Sequence, residues 1–191
     1  MFMEKWFTLI AGPNGSGKSS LYLAMPEADK KRLGERVNYD EQLLKTGNDL
    51  QAGRNCINLV RNCFNRNISF HQETTLVGFS IFNNLERAIR QGYRTCLYYI
   101  CVDNETIAVN RVQQRVLNGG HDVPVNDIIR RYRNSLINLP KAMYKCDDVV
   151  VLDNTYKPRT LYIRNKRESI FTSRNLPNWF ISPFEEFKGI K

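Results

Sequence analysis

Residues 12 to 19 read Gly12-Pro13-Asn14-Gly15-Ser16-Gly17-Lys18-Ser19, a complete G-x-x-x-x-G-K-[ST] phosphate-binding loop, and no other stretch constrains the chain as much. Such a loop needs a strand that delivers it and a helix that opens from it. The flanks offer both: Trp6-Phe7-Thr8-Leu9-Ile10-Ala11 is a short apolar run of the kind buried in parallel sheets, and Ser20-Leu21-Tyr22-Leu23-Ala24-Met25 can begin a helix. Gly12, Gly15 and Gly17 allow the backbone to wrap an anion with successive N–H groups pointing inward. Lys18 is placed to reach the β- and γ-phosphates, and the Ser19 hydroxyl to ligate Mg2+. Residues Gly12 through Ser20, with Pro13, Asn14 and Ser16 among them, are therefore the expected nucleotide-binding set.

Apolar strands alternate with helical patterns along the chain, which implies an α/β fold built from parallel βαβ units with right-handed crossovers. The expected strands are Trp6–Ala11, Arg36–Asp40, Ile68–Glu73, Thr95–Asp103 and Asp148–Asp153. Between them helical patterns cover Glu41 to Asn65, with a break near Gly47-Asn48, and then Ser80–Gln91, Glu105–Leu117 and Val125–Leu139. Pro26 is expected to end or kink the first helix. After Asp153 come a β-hairpin (Thr160–Ile163, Ser169–Thr172) and an aromatic tail, Leu176–Phe187, expected to pack across the sheet edge. The 191 residues suit one domain, with 105–139 as a helical lid and 156–191 as a C-terminal extension.

Charge adds a second constraint. The chain carries a net +9, and residues 104 to 145 hold seven Arg or Lys against three acids. A basic surface that meets nucleic acid is one reading; cations that serve phosphate at an active site are the other. The second basic stretch, Lys157 to Arg174, reads as a solvated hairpin face. The five cysteines (Cys56, Cys63, Cys96, Cys101, Cys146) form no C-x-x-C pair and read as buried free thiols, which suits a reducing cytoplasm. No apolar run approaches the length of a membrane helix, and the first apolar run leads straight into the phosphate loop, so no cleavable signal is expected.

Ligands of open parallel sheets lie beyond the carboxyl ends of the strands, where the expected elements place Asp40, Glu73 and Asp103. Asp40 has two readings: general base for an acceptor hydroxyl, or N-cap of the helix that follows. Glu73 can hold metal-bound water or the acceptor, and Asp103 reads as a cap. Arg111 and Arg115 are four apart on one helical face, and Arg131 lies on the flank of the next helix. The two helices are joined by Asn118-Gly119-Gly120-His121-Asp122-Val123-Pro124, so the pair can close over a nucleotide.

These residues in this order resemble the zeta-toxin family of P-loop kinases, in its compact branch. The matching pieces are the loop at 12–19, Asn38-x-Asp40, Glu73-Thr74-Thr75-Leu76, Arg111-Val112-x-x-Arg115-Val116, Gly119 to Pro124, Arg130-Arg131-Tyr132 and Asp153-Asn154-Thr155. The resemblance covers about the first four-fifths of the chain. It implies a kinase-like five-stranded parallel sheet of order 2-3-1-4-5, ATP or GTP as donor, and transfer of the γ-phosphoryl group to a hydroxyl of a nucleotide sugar. In the best-known members the acceptor is UDP-N-acetylglucosamine. Carried onto this sequence, it implies Asp40 as base, Glu73, Thr74, Thr75 and Arg111 on the acceptor, and Lys18, Arg115 and Arg131 on the transferring phosphoryl group. Ser19 and Glu73 would stand at the metal. A separate small helical antitoxin is the implied protein partner. The larger toxins carry an E-G-T type strand end where this chain has Glu73-Thr74-Thr75, and they have extra substrate-binding length. The alternatives are a nucleic-acid-directed ATPase or polynucleotide 5′-kinase, and a nucleotide-binding regulator without catalysis.

Overall fold

A computed structural model describes residues 4–190, so the ends of the domain expected over 1–191 lie outside the described residues. The chain runs β1 (Trp6–Ala11), α1 (Lys18–Ala24), α2 (Glu27–Leu33), β2 (Glu35–Val37), α3 (Tyr39–Thr46) and α4 (Asp49–Arg66), followed by β3 (Phe70–Thr74), α5 (Phe79–Arg90) and β4 (Arg94–Cys101). Then come α6 (Glu105–Leu117), α7 (Val125–Lys145), β5 (Asp148–Asp153), the hairpin β6 (Arg159–Asn165) and β7 (Glu168–Thr172), and α8 (Asn178–Gly189). One mixed sheet of seven strands has the order β2-β3-β1-β4-β5-β6-β7. Its first five strands are parallel and in the implied 2-3-1-4-5 order. The expectation of five strands is corrected because the hairpin does not stand apart. β6 returns antiparallel along β5 and covers that strand's otherwise open edge, leaving β7, exposed at every residue, as the new edge.

Alternation along the strands decides what each face buries. Phe7, Leu9, Phe70, Leu97 and Tyr99 share one face, all of them buried, and meet α4, α5 and α7. Phe64 of α4 sets its ring edge-on to Phe70 at 5.0 Å, and the Tyr99 hydroxyl meets Ser135 of α7 at 2.9 Å. Thr8, Ile10 and His71 point to the other face, where Tyr22 of α1 stacks on His71 at 5.0 Å. Burial there, with Arg36 nearby, pushes His71 down to about 4, so its imidazole is neutral. Each fully buried large side chain contributes on the order of 2 kcal/mol. The tail differs from expectation: α8 lies beside α7 on the first face rather than across an edge. Trp179 reaches Tyr99 (6.2 Å) and Phe184 reaches Tyr162 (5.2 Å).

Four local departures from the sequence reading have clear causes. The second strand stops at Val37, because the Asn38 side chain accepts from Glu41 N at 2.9 Å and starts a helix two residues before Asp40 is passed. Asp40 therefore sits inside the first turn of α3, as neither strand end nor cap. Asp103 yields the capping role to Asn104, whose side chain accepts from Ile107 N at 3.0 Å. Pro26 opens the unanticipated α2, which has Glu27 and Asp29 in its first turn and Lys31 and Arg32 in its last, as the helix dipole favours.

Lastly, α7 continues through Pro140 to Lys145. Its end is held by Arg164 of β6, whose guanidinium donates to the Met143 and Cys146 carbonyls. This arginine is buried, so the hairpin's basic stretch is not uniformly solvated, whereas Lys157, Arg159, Lys166, Arg167 and Arg174 are exposed. Replacing Arg164 with Met strands two buried carbonyls and is expected to cost about 1–3 kcal/mol of stability, measured by urea unfolding. A loss under about 0.5 kcal/mol would contradict this role for the guanidinium.

Candidate active site

A cleft of about 1080 Å3 opens at the carboxyl ends of the parallel strands. Its floor is the glycine loop. Gly12 has φ 144° and Gly17 has φ 100°, and a Cβ on either would come within 2.0 Å of Ile100 O and 2.5 Å of Asn154 Nδ2, respectively. Only glycine fits at these two points, which is how the loop brings its main chain against β4 and against the end of β5. Asn14, Gly15, Gly17, Lys18, Ser19 and Ser20 face the cleft. Gly12, Pro13 and Ser16 lie beneath it and act through the main chain: the Gly12 and Pro13 carbonyls accept from Lys18 Nζ at 2.8 and 2.9 Å, and the Ser16 carbonyl accepts from Asn154 Nδ2 at 2.9 Å.

Lys18 is the electrostatic centre. Burial pushes its ammonium down to about 8, while Glu73 and Asp40 pull it back up and Arg115 opposes them. Ser19 Oγ donates to Glu73 Oε2 at 3.0 Å, so the hydroxyl that follows Lys18 is joined to the end of β3. Glu73 Oε1 accepts from Arg36 Nη2 at 2.7 Å. Thr74 fastens the loop, since its carbonyl accepts from Gly12 N at 3.1 Å, and Thr74 and Thr75 both line the cleft.

Facing the loop, Asp40 Oδ2 lies 3.5 Å from Arg115 Nη1. Arg115 also donates to His121 O at 2.7 Å, and a Cβ on Gly120 would come 2.6 Å from its Cγ, so the Gly-rich turn closes around this arginine. Arg111 donates to Thr155 O at 2.9 Å. Arg131 lines the cleft 3.9 Å from Asp127, and Arg130 holds the same carboxylate at 2.8 Å. The basic cluster of 104–145 is thus divided. Arg133 pairs with Glu105, Lys145 pairs with Glu86, and Lys141 sits over the Phe82 ring, all three apart from the cleft lining.

The structure brings Lys18, Ser19, Asp40, Glu73, Thr74, Thr75, Arg111, Arg115 and Arg131 into one cleft. It adds Tyr39 and Asp49, joined by a hydrogen bond, and Asn154. Asn154, quoted in the sequence within Asp153-Asn154-Thr155 but given no role there, follows β5 directly, where the sites of such sheets gather. Arg36 carried no local signal, because its partner Glu73 is 37 residues away. Among the described residues no three potential metal ligands cluster. A hydroxyl and a carboxylate 3.0 Å apart do suit Mg2+, which keeps most of its waters and takes few protein oxygens. No helix among the described residues is long and apolar enough to cross a membrane. Four of the five cysteines are buried and Cys56 is half-buried.

An α/β sheet of this order, with a glycine loop after its central strand and carboxylates and arginines around one cleft, defines the protein as a P-loop kinase. The match can be made narrower. The zeta toxin family aligns with residues 51–170, which include Glu73, Arg111, Arg115 and Arg131 and follow the loop and Asp40. An uncharacterized protein of Haemophilus influenzae is 32% identical over 135 residues, covering 68% of this chain and 94% of that one. The chain belongs to the zeta toxin family. Among solved structures it is similar to a complex of AvrRxo1-ORF1 and -ORF2 with ATP, with a TM-score of 0.64, 14% identity and 87% of this chain covered. It spans 60% of that matched chain. It is also similar to the PezAT chromosomal toxin-antitoxin system of Streptococcus pneumoniae, with a TM-score of 0.60, 11% identity, and 98% of this chain and 88% of that chain covered. At these identities the likeness is one of fold.

Polyphosphate binding on the Lys18 loop would be proton-linked. In the free protein it loses its proton near 8, against 10.5 when unperturbed, so between those values the unfolded chain holds more protons and stability rises with pH. A polyphosphate seated on the loop would restore the ammonium, and binding in the same window would take up a proton. Calorimetry of ATP binding at about pH 8.5, in buffers of different ionisation enthalpy, should show uptake of about three-quarters of a proton, lost in Lys18→Met. Zero uptake in the unmodified protein would contradict the burial described for Lys18.

Proposed function

We propose that this protein transfers the γ-phosphoryl group of ATP or GTP, with Mg2+, to a hydroxyl of a small molecule, the favoured acceptor class being a nucleotide sugar such as UDP-N-acetylglucosamine. The observation that carries this reading is the common cleft: Asp40 faces the Lys18 loop, and Arg115 lies against the Asp40 carboxylate at 3.5 Å. Asp40 takes the proton of the acceptor hydroxyl. The oxygen then forms its bond to the γ-phosphorus while the bridging bond to the nucleoside diphosphate breaks. Lys18, Arg115 and Arg131 neutralise charge on the group in flight, and preorganised cations in a shielded cleft supply most of what such a reaction requires. Arg111, Glu73, Thr74 and Thr75 orient the acceptor. Ser19 and Glu73 would hold Mg2+, which offsets negative charge on the donor phosphates.

The segment 105–139, with α6 and most of α7, acts in this reading as a lid, and 156–191 as an extension of a single domain. The PezAT toxin-antitoxin system and the complex of AvrRxo1-ORF1 with -ORF2 support a separate protein partner, which in this reading is an antitoxin that obstructs the nucleotide site. Buried thiols support a cytoplasmic setting. Phe64, Phe70 and Tyr99 are packed in the core and form no stacking platform for nucleic acid, whereas Phe79 and Tyr156 are exposed, so the oligonucleotide arm of the assay below decides between the two acceptor classes.

Asp40→Asn should lower kcat by about 10^2–10^4-fold while nucleotide affinity stays within about threefold. The assay uses labelled ATP or GTP with a panel of nucleotide sugars, nucleosides and 5′-hydroxyl oligonucleotides, and identifies the product by mass. Unchanged turnover in Asp40→Asn would remove the base from this account. Phosphorylation of the oligonucleotides alone would replace the acceptor class.

A further inference from the structure

Arg36 ends its contacts short of the cleft lining, yet it touches the site from three sides. Its side chain is 15% exposed. Nη2 meets Glu73 Oε1 at 2.7 Å, Nε lies 2.7 Å from Glu41 Oε1, and the guanidinium stacks on the Tyr22 ring at 3.6 Å from its centroid. The other Glu73 oxygen, Oε2, accepts from Ser19 Oγ. We propose that Arg36 is a positioning residue of the phosphoryl-transfer site: by occupying Oε1 it leaves Glu73 one oxygen, turned to Ser19, and so fixes the oxygen pair that meets Mg2+. The inference rests on the reading of the cleft as a Mg2+–nucleotide site.

Without Arg36, Glu73 would have both oxygens free of the guanidinium. A carboxylate with both oxygens free can rotate, chelate a cation with both, or swing onto the ammonium of Lys18, which already feels its charge. A guanidinium prevents this because it is a planar fork, and stacking on Tyr22 fixes the plane in which that fork lies. A lysine in the same place keeps the charge but offers neither the fork nor the stacking.

The second carboxylate gives the contact a longer reach. Glu41 follows Asp40 in the first turn of α3, so the group that orients Glu73 also tethers the helix that carries the proposed base. Tyr22 belongs to α1, the helix that opens from the phosphate loop. One guanidinium thereby joins the donor helix, the acceptor helix and the end of β3.

The test compares ATP affinity of the full chain with saturating Mg2+ and in EDTA, for the unmodified protein, Arg36→Lys and Arg36→Met, with a melting temperature for each. Partners one step behind a metal typically change its binding by 10–100-fold, so the gain in affinity that Mg2+ brings should shrink about tenfold or more in Arg36→Met. It should shrink less in Arg36→Lys, with metal-free affinity within about threefold of the unmodified protein in both. A folded Arg36→Met with the full Mg2+ gain overturns the proposal, as does an equal loss with and without the metal. If Arg36→Met does not fold, Arg36→Lys decides alone: a reduced gain supports the proposal and an unchanged gain overturns it. Mg2+-responsive binding without transfer to any acceptor would sink the kinase reading and leave Arg36 in its place. Binding in the unmodified protein that ignores Mg2+ would overturn the Arg36 proposal itself.

Discussion

One half-buried ammonium organises this molecule. Lys18 Nζ lies against two carbonyls of its own loop, with the charges of Glu73 and Asp40 acting on it from β3 and α3. A cation drawn even partly out of water is costly unless negative charge stands near it. The fold meets that requirement by converging carboxylates from separate elements on a single point. Those carboxylates are in turn held by arginines: Arg36 on Glu73 and Arg115 on Asp40. The cleft thereby alternates in sign, which on the proposed reading would place a polyanion on one side and an acceptor hydroxyl on the other.

The sheet makes this convergence possible. Crossing from β1 to β3 on one side and to β4 on the other opens a crevice at the carboxyl ends of the central strands, and the glycine loop fills its floor. Glycine at 12 and 17 lets the loop touch β4 and Asn154 directly, so the phosphate cradle is braced by the sheet. The walls are less rigidly tied. Arg115 depends on a turn containing Gly119 and Gly120, and Arg131 on the first turns of α7, whose far end is fixed in the core by Arg164. A wall anchored at one end is compatible with the lid role proposed for 105–139.

Much of this was legible in the chain because its signals are local. The loop, its strand and its helix are contiguous, and Arg111 and Arg115 share a helical face by spacing alone. The five parallel strands were placed to within a few residues because each is a bounded apolar run. What escaped was set by contacts between distant positions. Arg36 looks like an ordinary strand residue until Glu73 is brought beside it, and Arg164 looks solvated until the end of α7 lies over it. Asp40 was placed in the right neighbourhood for an incomplete reason, since the side chain of Asn38 decides where the helix begins. The join of the hairpin to the sheet was missed because an apolar pattern announces a strand but does not name its neighbour.

The most direct test of the account is a crystal structure with Mg2+ and a non-hydrolysable triphosphate. The account predicts the terminal phosphate between Lys18 and Arg115, with the Asp40 carboxylate on its open side and room for a hydroxyl oxygen about 3–3.5 Å from phosphorus. A triphosphate on the loop whose terminal group points away from Asp40, or a nucleotide bound outside this cleft, would contradict it.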